Sequence, residues 1–455
     1  MKKRLFSAAT AAMLLAALLA GCSSGAQPSG GASSSAAPAP SSSQETEAKF
    51  KSRPISFLSI WDETDPATNG YILNELSKEY GQTVDGFSFE YEFVSIEQLD
   101  QKVTILLSSD DLPEVCTYES GVRLKSVIET GQILDVDKTF KELGIRDCLD
   151  DGAVSLLTTL VDGVGLYDVP LGLNMEGYWY NKELFTKAGI TETPKNWDEF
   201  MTACQKLKDA GIVPIVQGGK DKWPMTRVLN SYVARSVGLN AVKDVMDGKA
   251  KFTDPQYVAA AQMFADMAKK EYFSVGMTTI DPSTASAMLM NGQAAIKYDG
   301  SWFTQNLSQP ENAAGPEGIG YFNIPVVTGN TAGGTLDDYS MNCGNILMFS
   351  SKKYDEAVGD WMKYVFTRIG DYSMENFGTF KGYKINNPPS DMPYYTQIVA
   401  DVLKSAKGSF LWFEAKMDSE TSQLAQNNIA MLYSGEMTPE AYMTMLQESV
   451  DKNRA

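Results

Sequence analysis

The chain of 455 residues contains no histidine. That removes imidazole acid/base catalysis, Ser-His-Asp and Cys-His nucleophiles, and zinc sites built on histidine. Carboxylates, amides and aromatic rings are left as the groups able to do chemistry. Four cysteines lie in the body of the chain, Cys116, Cys148, Cys204 and Cys343, widely spaced and without a Cys-x-x-Cys. A metal cluster is therefore not expected; the four read as buried free thiols, and spacing alone cannot pair any two in a disulfide. The stretch "MLMNGQAAIKYDGSW", residues 288–302, holds the clearest pairing of an acid with a ring. Met288 to Met290 close a helix, Asn291-Gly292 breaks it, and Ala294 to Tyr298 read as a short buried strand. Asp299-Gly300 is a turn signal, and Trp302 follows it directly. A ring in that place either plugs a core or offers a platform to a flat ligand. Trp61 and Asp62 follow the first strand in the same manner.

The elements that carry these residues alternate strand and helix. Ile55–Trp61 reads as a strand, Pro66–Tyr80 as a helix, Phe87–Val94 as a strand, and Ser95 opens a capping-box-like turn before Leu99, Val103 and Leu106. Pro113–Tyr118 is the next strand. Further on, Asn196 caps a helix with Phe200, Ala203, Cys204 and Leu207 on its buried side, Gly211 ends it, and Ile212–Val216 reads as a strand. Asp254-Pro255 starts a helix, and Ala357 to Phe366 forms another, striped for burial. Such alternation predicts α/β layering.

The N-terminus carries an address. Met1-Lys2-Lys3-Arg4 is basic, Leu5–Ala20 is apolar but short for a bilayer, and Leu19-Ala20-Gly21-Cys22 resembles a bacterial lipobox. In that class the chain is cut before Cys22, which is then acylated. Residues 23–49 are rich in Ser, Ala, Gly and Pro, a composition that builds no core and behaves as a linker. The net charge of −18 argues against nucleic acid, which needs a basic surface. About 400 residues remain for the body, enough for two lobes.

With these features in place, "DVPLGLNMEGYWYNKELFTKAGITETPKNWDEF" (168–200), "NGQAAIKYDGSW" (291–302) and "SGEMTPEAYMTMLQ" (434–447) resemble, in that order, the extracellular solute-binding proteins of ABC sugar importers, family 1, with maltodextrin-binding proteins among them. The resemblance spans the body from about residue 50. It implies a two-lobed periplasmic-binding-protein-like α/β fold of type II, with a ligand cleft between lobes joined by hinge segments. By that resemblance the chain crosses between lobes near Tyr167–Pro170, Tyr298–Trp302 and Met341–Ile346. The expected plan is a signal peptide (1–21), an anchored linker (22–49), a first lobe of 50–167 plus 303–342, and a second lobe of 168–302 plus 343–455.

The same resemblance implies a site. Sugars present apolar C–H faces to aromatic rings and hydroxyls to carboxylates and amides. The candidates are Trp61, Asp62, Glu119, Asn174, Glu176, Trp223, Asp299, Trp302, Tyr339, Asn342 and Trp412, with Asp299 and Trp302 foremost. Asn174 stands where maltodextrin-binding relatives carry a glutamate, a departure from the maltodextrin pattern. The expected function is capture of a carbohydrate, an oligosaccharide by preference, and its delivery to ABC permease subunits by a monomer tethered to the outer face of the membrane. Neither a cofactor nor a metal is expected. The alternatives are the same fold with another small polar or cationic solute, or a surface glycosidase, which would need two carboxylates at a fixed separation.

Overall fold

The computed structural model describes residues 52–66 and 68–454. The expected signal peptide, linker and Cys22 lie outside the described residues. Nine strands are described: β1 Pro54–Ser59, β2 Ser88–Phe93, β3 Val115–Glu119, β4 Asn174–Asn181, β5 Ile296–Gly300, β6 Ile319–Phe322, β7 Asp338–Asn342, β8 Asn345–Phe349 and β9 Gly408–Phe410. They form two sheets. The first has the order β2-β1-β3-β8, with β1 parallel to β2 and β3 and with β8 antiparallel to β3. Parallel neighbours need crossovers, supplied by α1 (Asn69–Thr83) and α2 (Ile96–Ser108). The helix α3 (Val122–Glu129) follows β3. Phe57, Val115, Leu347 and Trp361 are among the residues that form this lobe's core.

The second sheet is built on β4, which pairs antiparallel with β5 along one edge and with β7 and then β6 along the other; β9 runs parallel to β7. Both its faces are covered. Tyr178, Phe200, Tyr298 and Phe322 pack on one side, and Met175, Trp179, Leu289 and Phe303 on the other. The caps read from the sequence explain several helix starts. Asn196 accepts the Glu199 N–H at 3.0 Å, while Glu199 accepts the Lys195 N–H at 2.7 Å. Ser95 does stand at the N-cap of α2, but its hydroxyl makes no capping bond.

Three expectations are corrected. Ile212–Val216 is no strand; Ile215 makes only isolated bridges to Phe273 and Ile296. The chain does not cross at Tyr298–Trp302: β5 stays hydrogen-bonded to β4, and Phe303 and Leu307 are buried in the same core as Trp179. Crossings do occur where Leu171 lies in the first core and Met175 in the second, and between β7 and β8. Two more lie in the C-terminal third. Phe380 packs on the second lobe and Tyr383 on the first, and Phe410 and Phe413 belong to the second while Trp412 and Ala415 belong to the first. The late segments consequently change sides relative to the expected plan. β6 and β7, within 303–342, pair with β4, whereas β8 and the helix Glu356–Phe366 join the first lobe. Strand pairing with β4 outweighs the position of these segments in the chain. The four cysteines of the body are free, and Cys116, Cys204 and Cys343 are buried.

Candidate functional site

Of seven tryptophans, Trp179, Trp197 and Trp361 are buried in the cores. The other four, Trp61, Trp223, Trp302 and Trp412, stand at strand ends, helix starts or crossings. The helix Trp223–Ser236 begins with Trp223-Pro224, proline occupying the first turn where its missing N–H costs nothing. Trp302 sits in the 3-10 turn Ser301–Phe303 that ends β5. The two rings meet edge to face, centroids 6.1 Å apart at 67°, and both are only half-buried. One turn along the helix, Arg227 places its guanidinium 5.6 Å from the Trp223 ring centre and 5.2 Å from that of Trp412. The sequence reading missed Arg227; its spacing of four from Trp223 was the available signal.

Arg227 is held by two acids. Glu414 lies 2.7 Å from one terminal nitrogen, and Glu176 3.4 Å from Nε. Glu414, two residues past Trp412, also accepts from the Thr226 hydroxyl. Glu176 is fully buried on β4. It accepts from the Tyr298 hydroxyl at 3.0 Å and from Asn342 Nδ2 at 2.5 Å. Burial raises its pKa, and the Arg227 charge and these hydrogen bonds oppose that rise. Asn342 Oδ1 accepts from Asn174 Nδ2 at 3.2 Å, and Asn174 Oδ1 accepts from Ser301 at 3.1 Å. Asn174, Glu176 and Asn342 are thus one network behind the tryptophan wall, as the register of β4 against β7 dictates: Asn174 faces Asn342, and Glu176 faces Ser340.

The expected pairing of Asp299 with Trp302 does not hold. Directly opposed residues share a sheet face, and Gly300 opposes Glu176 while Asp299 opposes Gly177. A Cβ on Gly300 would run into the Trp302 ring, so Trp302 lies over the Glu176 face and Asp299 points to the other. There Asp299 is buried against Lys297, whose ammonium also donates to Ser286 at 3.0 Å and sits 4.7 Å from the Phe303 ring centre. Tyr339 stands on that same far face, one residue off the Ser340 register.

The first lobe contributes the ends of β1 and β3. Trp61 is half-buried. Asp62 is exposed and turned to its own loop, accepting the Thr64 N–H at 2.7 Å and hydroxyl at 2.6 Å, bonds that hold its carboxyl below the usual range. Glu119 accepts from Trp412 Nε1 at 3.2 Å and lies 3.1 Å from Arg123, which also pairs with Asp100 at 2.7 Å. Trp412, 5% exposed, therefore has its N–H engaged and the Arg227 cation over its ring, and joins the lobes rather than presenting a free face.

Other contacts tie the lobes beside this cluster. Arg123 donates to Ser422 at 2.8 Å. Lys381, buried in a crossing segment, donates to Asn69 Oδ1 of α1 at 2.7 Å and reaches Gln305 Oε1 of the other lobe at 3.5 Å. Burial brings its pKa down to about 7. Among the described residues no group of three acids or thiols could hold a metal, and no helix is long and apolar enough to cross a membrane. A separate cavity of about 1240 Å³ lies between the helix Asp151–Leu160 and the segment Lys404–Trp412; of the candidate residues it touches Trp412 alone.

Two lobes joined by several crossings, with aromatic rings and a polar network at their junction, are the architecture of a protein that holds a small molecule between domains. The model of the family described as bacterial extracellular solute-binding protein matches residues 63–370, and the chain belongs to that family. An ABC transporter extracellular-binding protein of Pyrococcus horikoshii, itself uncharacterized, is 22% identical over 347 residues, 75% of this chain and 70% of the relative. A probable sugar-binding periplasmic protein of Brucella melitensis is 29% identical over 181 residues, 35% of this chain and 41% of the relative. Among solved structures, a chitin oligosaccharide binding protein superposes with a TM-score of 0.79 at 25% identity, covering 88% of this chain and 98% of the other. A second, from work on xylan utilization by Caldanaerobius polysaccharolyticus, has a TM-score of 0.77 at 22% identity, covering 87% and 99%.

Proposed function

We propose that this protein captures a carbohydrate outside the membrane, without altering it, and delivers it to the permease of an ABC importer. The observation that carries the reading is the half-buried Trp223–Trp302 wall above the Asn174–Glu176–Asn342 network. Stacked rings bury the C–H faces of a pyranose, and oriented amides and a carboxylate meet its hydroxyls. The sugar-binding descriptions of a relative and of a structural neighbour support the same class of ligand. Each acid of the cluster is already held by an arginine or by amides, an arrangement that suits recognition rather than proton transfer. Trp61, on the first lobe, is proposed to meet the ligand on closure, while Glu119 and Trp412 set the closed geometry. Monomeric action and a lipid tether at Cys22 are part of the proposal.

A glycan panel screened by thermal shift tests it, because a ligand that binds only the folded chain raises the melting temperature by mass action. A sugar that shifts the melt and is recovered unchanged after long incubation supports the reading. Protein-dependent conversion of that sugar would overturn it.

A further inference from the structure

The described residues include one exposed large aromatic: Phe93, the last residue of β2, is 58% exposed. Ile96, the first residue of α2, is 39% exposed beside it. Phe93 pairs with Ser59 in the β1–β2 register, and the Val94 N–H donates to Ser59 O at 2.8 Å. Trp61 follows Ser59 by two residues, and its carbonyl accepts from the hydroxyl of Tyr91, two residues before Phe93. Phe93 and Glu119 end β2 and β3, and Trp61 stands two residues past the end of β1 between them, at the carboxyl edge where open α/β sheets hold their ligands. Burial first, and the charge of Glu97 on α2 second, raise the pKa of Asp221 in the Gly219–Asp221 turn that leads into Trp223.

Resting on the carbohydrate reading, we infer that Phe93, with Ile96, is a further ring platform at the outer end of the cleft, and that the ligand is an oligosaccharide whose terminal residue lies on it. The alternative use of exposed apolar residues, docking on a permease, is separated by experiment. Continuity with Trp61 favours the sugar: a ligand held against Trp61 and extended along the strand ends reaches Phe93 next. The platform is exposed in the free protein and needs no rearrangement.

The test is calorimetric titration of the full chain with chitin and xylan oligosaccharides, from the monosaccharide to the hexasaccharide. Affinity of the wild type is expected to rise with length. Phe93→Ala should remove the last increment, about tenfold for the longest ligand, and leave the shortest unchanged, while Phe93→Trp retains it. Equal losses at every length, or no loss at any, would overturn the inference. No loss of affinity together with lost uptake in cells would assign the face to the permease instead. Binding by the wild type of neither series but of another sugar class would overturn the choice of chain and leave the carbohydrate reading standing; binding of no sugar at all would remove both.

Discussion

At the scale of single residues, Trp302 and Asp299 are expected to part company. The Trp302 ring is half-buried above Gly300 and edge-on to Trp223. Trp302→Ala should weaken ligand binding by about 1–3 kcal/mol, a tenfold to hundredfold loss in affinity, with a smaller change in stability; calorimetry beside denaturant melts separates the two. Asp299→Asn should do the reverse. It strips the buried Lys297 of its counter-charge, which costs roughly 3–5 kcal/mol of stability, and leaves affinity of the folded fraction unchanged. An Asp299→Asn protein of normal stability and poor affinity would show that the carboxylate does face the ligand.

The element that matters most to the site is the helix Trp223–Ser236, which sets Trp223 and Arg227 one turn apart. Arg227 is the positive centre between Glu176 and Glu414, both nearly inaccessible. Arg227→Met keeps much of the volume but leaves two buried carboxylates facing each other. Stability at neutral pH should fall by roughly 3–5 kcal/mol, and part of it should return when acid neutralises the freed carboxylates. A pH series of melts checks this, and a variant equally destabilised at all pH values would mean that packing, not charge, is lost. The neighbouring β5 shows why spacing misled: a turn after Tyr298 was expected, but strand pairing carries through Asp299 and Gly300. Glycine was there because the Trp302 ring lies over it, not because the chain turns.

For the whole molecule, the crossings contain a buried acid that the site does not use. Asp168, in the first crossing, is wholly inaccessible; the Ser120 hydroxyl and its own N–H lie close enough to oppose the effect of burial, but neither makes a well-formed hydrogen bond to the carboxylate. Burial pushes its pKa up to about 7. In the unfolded chain the group ionises near 4, so between those values the folded protein holds a proton that the unfolded one has lost. Stability supplied by the neutral acid is therefore lost as pH rises from about 4 to 7, and it stays lost above. Asp168→Asn cannot ionise. Its stability relative to the wild type should climb across that window by about 1.4 kcal/mol per pH unit and then level. A flat difference would show that the carboxyl is not ionising in isolation. The proposed tether is tested at this scale too: Cys22→Ala should release the protein from membranes with unchanged ligand affinity, and continued attachment in cell fractions would refute the lipobox reading.

The sequence by itself determined what depends on local order: strand-helix alternation, the cap at Asn196, the helix start at Asp254-Pro255, the buried stripe of 357–366, and the exclusion of imidazole chemistry. Motif resemblance led to the family and to the amide–acid network, since Asn174, Glu176 and Asn342 sit on two strands whose register brings them together. The tertiary structure alone decided which way rings and acids point. A one-residue step along β5 puts Asp299 and Gly300 on opposite faces, and nothing in a linear motif records which of them the ligand would see. It also decided partners distant in the chain, such as Arg227 with Glu414 and Trp412 with Glu119, because a buried charge takes whichever opposite group folding brings within reach. The lobe to which residues 303–349 belong was decided in the same way, by hydrogen bonding of β6 and β7 to β4 and of β8 to β3, which sequence separation does not encode.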